Sequence, residues 1–253
     1  NHTRKQLTHR RQHHPTLKRI TIVGKEAFKG TPIVSITLPN TVEKIDEKAF
    51  EGCTSLTTVT LPKNANFRTI ALSTFEGCKR LTRIDIPDSV KEIEKYAFAD
   101  AGLTEVKLPK ELFEIKEQAF AGNAQLKSIT LPKTISHIST GAFMQTGLQT
   151  VTLNGTEPPR LSFPKGEAAL QRKGAPFPFE TLVDIIVPRE ATNAYRVEKV
   201  DWAPYRRYIN RKIAFTPLRL EKTEVTVKVE EIQVFSIYGS KRYQIRQTKD
   251  SEA

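Results

Sequence analysis

Apolar residues return along this chain at fixed offsets from a phenylalanine that recurs every 22 to 25 residues, at Phe28, Phe50, Phe75, Phe98, Phe120 and Phe143. All but Phe75 follow an alanine. Between them one string repeats: Leu56-x-x-Val59-x-Leu61-Pro62, Leu81-x-x-Ile84-x-Ile86-Pro87, Leu103-x-x-Val106-x-Leu108-Pro109 and Leu126-x-x-Ile129-x-Leu131-Pro132. An apolar residue stands three after the proline (Val42, Val90, Leu112, Ile135), another three later (Ile45, Ile93, Ile115, Ile138), and the phenylalanine five beyond that. Length changes fall elsewhere. Asn64 and Ala65 lengthen one copy, and the turn after each phenylalanine takes five or six steps to the next leucine. Constant spacing among buried positions with slack taken up in turns predicts a stack of coils around one continuous core.

Within a coil, Leu-x-x-Val-x-Leu is rich in β-branched residues, too short for a helix, and closed by proline, which cannot donate to a sheet ladder. It predicts a short strand, and equivalent strands of neighbouring coils then lie about 4.8 Å apart in a parallel sheet. The Leu, Val and Leu point inward, and the phenylalanines form a second stack on the opposite wall. Each ring buries roughly 150 to 250 Å².

The string Gly-Cys-x-x-Leu-x-x-Val-x-Leu-Pro, followed by the isoleucine and the Ala-Phe mark, resembles the leucine-rich repeats of BspA-like bacterial surface proteins over roughly residues 20 to 155. Departures are Thr74 for alanine, Ile86 for leucine and Asn154 where a proline is expected. The implied fold class is a repeat solenoid: a leucine-rich repeat with short parallel strands, few regular helices and a C-terminal cap.

Four regions are expected. Residues 1–17 form a basic, His-rich N-terminal tail, and 18–155 the repeat array, in which Ile20, Val23, Ala27 and Phe28 supply only the second half of the first coil. Residues 156–212 hold an insertion with Pro158, Pro159, Pro164, Pro176 and Pro178, a last strand at Leu182-x-x-Ile185-x-Val187-Pro188, and an aromatic segment (Tyr195, Trp202, Tyr205). By resemblance that segment is the terminal cap, which an open stack needs. Residues 213–253 alternate in strand fashion and read as a β-rich extension too small to bury a core alone.

The net charge of +12 changes the picture only through its location. Residues 1–25 carry seven Lys or Arg and no acid, 26–188 carry 19 of each sign, and 189–253 carry 14 basic and nine acidic residues. A solenoid that binds nucleic acid carries its positive charge along the array. This array is neutral, so no nucleic-acid partner is expected. No run of 18 apolar residues exists, so the chain contains no transmembrane segment. No signal peptide is visible, and a start at Asn1 reads as a processed or trimmed product. The family resemblance, rather than composition, implies an extracellular or cell-surface location.

Candidate chemistry is sparse. Cys53 and Cys78 occupy equivalent positions in adjacent coils, within reach of a disulfide, and read more simply as buried thiols. His2, His9, His13 and His14 crowd a polar basic tail that reads as solvated rather than metal-binding, and His137 is placed alone in a turn. Two thiols without nearby histidines fall short of a metal site. No phosphate loop, nucleophile elbow or paired carboxylate motif appears, so neither an enzyme nor a cofactor is expected.

The outward positions of the strands remain: Thr58, Thr60, Arg83, Asp85, Glu105, Lys107, Ser128, Thr130, Thr150 and Thr152. Threonine suits an exposed strand and charges solubilise it, so such a face can be structural. Read functionally, it is a recognition surface for a protein or glycan ligand, assisted by the cap. Six strands give a face of only about 360 Å², against roughly 800 Å² per partner in a standard interface. The resulting expectation is a non-catalytic surface protein for adhesion or recognition, with a structural spacer displaying residues 213–253 as the alternative.

Overall fold

The computed structural model describes residues 20–164, 174–198 and 200–210. The tail at 1–17 with its four histidines and the extension at 213–253 lie outside the described residues. All described residues belong to the first of the two units into which the chain divides, Asn1–Ile213.

Each coil contributes two short strands. The Leu-x-x-Val-x-Leu strings give β2 (Ser35–Thr37), β4 (Thr58–Thr60), β6 (Arg83–Asp85), β8 (Glu105–Lys107), β10 (Ser128–Leu131), β12 (Thr150–Leu153) and β14 (Asp184–Ile186). The isoleucine before each phenylalanine turn gives β1 (Ile22–Val23), β3 (Lys44–Ile45), β5 (Thr69–Ile70), β7 (Glu92–Ile93), β9 (Glu114–Ile115), β11 (His137–Ile138) and β13 (Arg160–Leu161). Every pairing is parallel and joins like elements of neighbouring coils. The proline that ends each string stops the strand because it has no N–H to offer the next coil.

Six rings stack as the spacing predicts, with centroids 5.1 to 5.4 Å apart and planes within 10° of parallel. Each coil is stitched to the next beside the rings, since the Phe50, Phe75, Phe98 and Phe120 amides donate to Thr74, Ala97, Ala119 and Ala142 carbonyls at 2.8 to 2.9 Å. A seventh ring, Phe177, continues the column 5.5 Å from Phe143. The turns that reach leucine in five steps put glycine where backbones meet: a β-carbon on Gly102 would collide with the Lys79 carbonyl, and one on Gly147 with that of Ala124.

Beyond β14 three short helical turns, Arg189–Ala191, Ala194–Glu198 and Val200–Tyr208, bring Tyr195, Trp202, Tyr205 and Tyr208 into the core. Phe177 ends against them, edge-on to Tyr205 at 5.5 Å. Their polar atoms are satisfied by the coil they cover: Trp202 donates to the Pro159 carbonyl (2.8 Å) and Tyr195 to that of Gly155 (3.1 Å). The outer edge of β14 is closed as well, by the Asn210 amide on Ile185 and the Asn210 side chain on Val187.

Candidate functional site

Period-two alternation sends every second residue of the first-strand series to solvent. Thr58, Thr60, Arg83, Asp85, Glu105, Lys107, Ser128 and Thr130 are exposed, whereas Thr150 and Thr152 are only half-buried. The latter two are flanked on both sides, by Ser128 and Thr130 on β10 and by Asp184 and Ile186 on β14. Ser35 and Thr37 on β2 extend the face, in register with Thr58 and Thr60. The signal was present, because Ile33-x-x-Ile36-x-Leu38-Pro39 is the same string. With seven strands the face grows to about 430 Å².

The central charges pair with one another. Arg83 and Glu105 are register partners, bridged at 3.1 Å, and Arg83 also lies 3.8 Å from Asp85. Among the described residues Lys107, opposite Asp85, makes no ion pair. The strand ladder is not continuous: it runs as β2–β4, β6–β8 and β10–β12–β14. A groove lies at each break. One of about 880 Å³ runs between β4 and β6, lined by Thr58, Thr60, Lys63, Arg83, Asp85 and Lys107. The other, about 440 Å³, lies between β8 and β10 and is lined by Glu105, Lys107, Lys110, Ser128, Thr130 and Asn154. Lys107 borders both.

On the second-strand series the stacking aligns a different row: Thr69, Glu92, Glu114, His137 and Arg160 are successive register partners. His137 is therefore neither in a turn nor alone, which corrects the sequence reading. The x-Ile pair before the phenylalanine turn is itself a strand, and its first residue faces its equivalents one coil away. His137 Nδ1 lies 2.9 Å from Glu114 Oε1 and Nε2 lies 2.7 Å from Ser162 Oγ. Neighbouring Lys116 is engaged by Glu94 at 2.6 Å and Glu92 at 3.6 Å, and these carboxylates raise its pKa.

Cys53 and Cys78 are free and buried. Their thiols donate to the carbonyls of Phe28 (2.9 Å) and Phe50 (3.2 Å). Burial pushes the Cys78 thiol up from 9.0 to about 12, so it stays protonated and inert at neutral pH. No cluster of three or more His, Cys, Asp or Glu side chains able to hold a metal occurs among the described residues.

The family model for the BspA type leucine-rich repeat region matches in six copies over residues 21–149. A leucine-rich repeat protein from Bacteroides ovatus ATCC 8483 is similar at 25% identity and a TM-score of 0.52, over 68% of this chain and 48% of that one. The leucine-rich repeat protein of T. pallidum is similar at 28% identity and a TM-score of 0.52, over 63% of this chain and 79% of that one. The chain thus spans about half the length of the Bacteroides protein. No curated protein matches it.

Proposed function

Because the chain belongs to the BspA type leucine-rich repeat family, we propose that it works by binding, with the first-strand face and its two grooves as a recognition surface for a protein or glycan on a host or neighbouring cell. The observation that carries this reading is the opening of the ladder on both sides of the β6–β8 pair. There hydroxyls and amides line two grooves that meet at Lys107, a cation with no ion pair among the described residues. A solubilising face needs no grooves. The small area fits weak single contacts multiplied by many copies on a surface. In this reading the protein is displayed outside the cell and binds without chemistry at this face. No helix among the described residues is long and apolar enough to cross a membrane.

Reversing charge at Lys107 and Arg83 tests it. Both side chains are exposed, so stability changes by only a few tenths of a kcal/mol. Binding to a glycan array or to immobilised host-cell protein weakens at least several-fold, and unchanged binding rejects the face. The division of the chain after Ile213 favours a second reading, in which the array is a spacer that displays the C-terminal segment. Deleting residues 213–253 separates the two: ligand capture that survives assigns binding to the array, and capture that vanishes assigns it to that segment.

A further inference from the structure

We propose that Ser162 is a nucleophile, activated by His137 with Glu114 as its positioning residue, that accepts the acyl group of a small activated ester. The site lies on the second-strand row and does not rest on the binding role of the first-strand face.

In the neutral ring the order of the three groups sets the direction of both hydrogen bonds. A carboxylate only accepts, so the Glu114 contact at 2.9 Å places the imidazole N–H on Nδ1. Nε2 of the neutral ring then presents its lone pair to Ser162 Oγ at 2.7 Å, and the hydroxyl donates. A hydroxyl aimed at an imidazole that is held by a carboxylate is the arrangement that activates a serine, because the base takes the proton as the oxygen attacks and the carboxylate stabilises the imidazolium. A mere tie between coils would work equally well with any donor and acceptor.

Access and charge agree with such a role. The His137 and Glu114 side chains are 27% and 23% exposed, shielded enough to hold their geometry and open enough for a reagent to arrive. Ser162 is half-buried and directly follows β13, the terminal strand of its ladder, whose outer side meets the Val200–Tyr208 turn rather than a further strand. Arg160, two residues earlier and therefore on the same face about 6.6 Å away along the strand, is exposed. It is also the register partner of His137, so the face that carries the imidazole carries a cation as well. Lys116 is occupied by Glu94 and Glu92, and Asp201 by the Leu161 amide at 2.7 Å, so neither displaces the relay.

In the step, Ser162 Oγ bonds to the acyl carbon while its proton passes to His137 Nε2. The ester C–O bond breaks, and that proton goes to the departing alkoxide, leaving acyl-Ser162 and an alcohol. Water activated by the same ring then releases the carboxylic acid and restores the hydroxyl. The Ser162 amide is already bound to the Ile138 carbonyl at 3.0 Å and cannot join an oxyanion hole. Without that donor, esters with good leaving groups, which need the least stabilisation of the oxyanion, are the substrates.

The full chain is treated with a fluorophosphonate probe and, separately, with p-nitrophenyl acetate, and the adduct is located by peptide mass mapping. One adduct on Ser162 is expected, abolished in Ser162→Ala. His137→Gln slows labelling by about a hundredfold or more, and added imidazole restores it in His137→Gly. Glu114→Gln slows it with an unchanged melting temperature, whereas Glu114→Asp retains most of the rate. No adduct on the unaltered chain, an adduct at another residue, or a rate indifferent to His137→Gln each overturns the proposal.

Discussion

Three residues after most of the stacked phenylalanines stands a small donor that serves a phenylalanine carbonyl. Thr31 and Thr146 bond the carbonyls of Phe28 and Phe143 at 2.7 Å, while Cys53 and Cys78 reach back one coil to Phe28 and Phe50. Asn123, fully buried, does both: Nδ2 donates to the Phe98 and Phe120 carbonyls at 2.8 Å, and Oδ1 accepts from the Leu103 amide at 2.8 Å. It thereby serves the coil in which Ala101 occupies the donor position and offers no side-chain donor. Asn123→Ala removes these bonds from a dry site and costs about 3 kcal/mol, measured by urea unfolding. The cysteines were visible in the sequence as equivalent positions, but their role was not, because threonine, cysteine and asparagine share a function without sharing a chemical class. Cys78 also gives a pH signature. Its pKa rises from 9.0 to about 12 on folding, so between those values the native state keeps a proton that the unfolded state loses. Stability therefore falls with rising pH above about 9, by up to about 1.4 kcal/mol per unit from this group. Urea melts at about pH 8 and about pH 10 show a smaller decline in Cys78→Ala than in the parent.

At the level of the element, the ring column and the turns that set its spacing carry the array. A ring in mid-stack contacts neighbours on both faces, and Phe98 is fully buried between Phe75 and Phe120. Phe98→Ala costs about 3 to 5 kcal/mol in chemical denaturation. Phe28, half-buried with one stacked neighbour, costs less. Gly102→Ala places a β-carbon against the Lys79 carbonyl at a backbone φ of +80° and costs about 2 kcal/mol. Six rings of the column were legible because the repeat keeps a nearly constant length. Phe177 was not, since the proline-rich insertion separates it from Phe143 and a periodic reading stops there. The outward face was legible because alternation along a strand is local. The Glu114, His137 and Ser162 grouping was not: its members lie 23 and 25 residues apart and meet only through the parallel register, which a linear reading of one coil does not contain.

For the molecule as a whole, a stack of coils has two ends, and each must be closed or remain apolar and exposed. At the C-terminal end the closure is built from unlike parts. Phe177 lies on Phe143, Ile185 and Val187 extend the inner wall, and Trp202 and Tyr205 seat on Phe177 with their polar atoms bonded to backbone groups at Pro159 and Phe177. Trp202 and Tyr205 stand outside the repeat, yet they are among the largest fully buried side chains of the core. Stability in such an array is a sum over coils and their interfaces, so losing the closing layer removes one interface and leaves the last one wet. A chain ending at Gly155 would uncover Phe143, Leu148, Val151 and Leu153, all buried in the intact protein. The expected result is a broadened, lower thermal transition, binding of a hydrophobic dye and self-association in light scattering. A truncated chain that melts as sharply as the parent and stays monomeric would show that the coils hold themselves together without the aromatic layer.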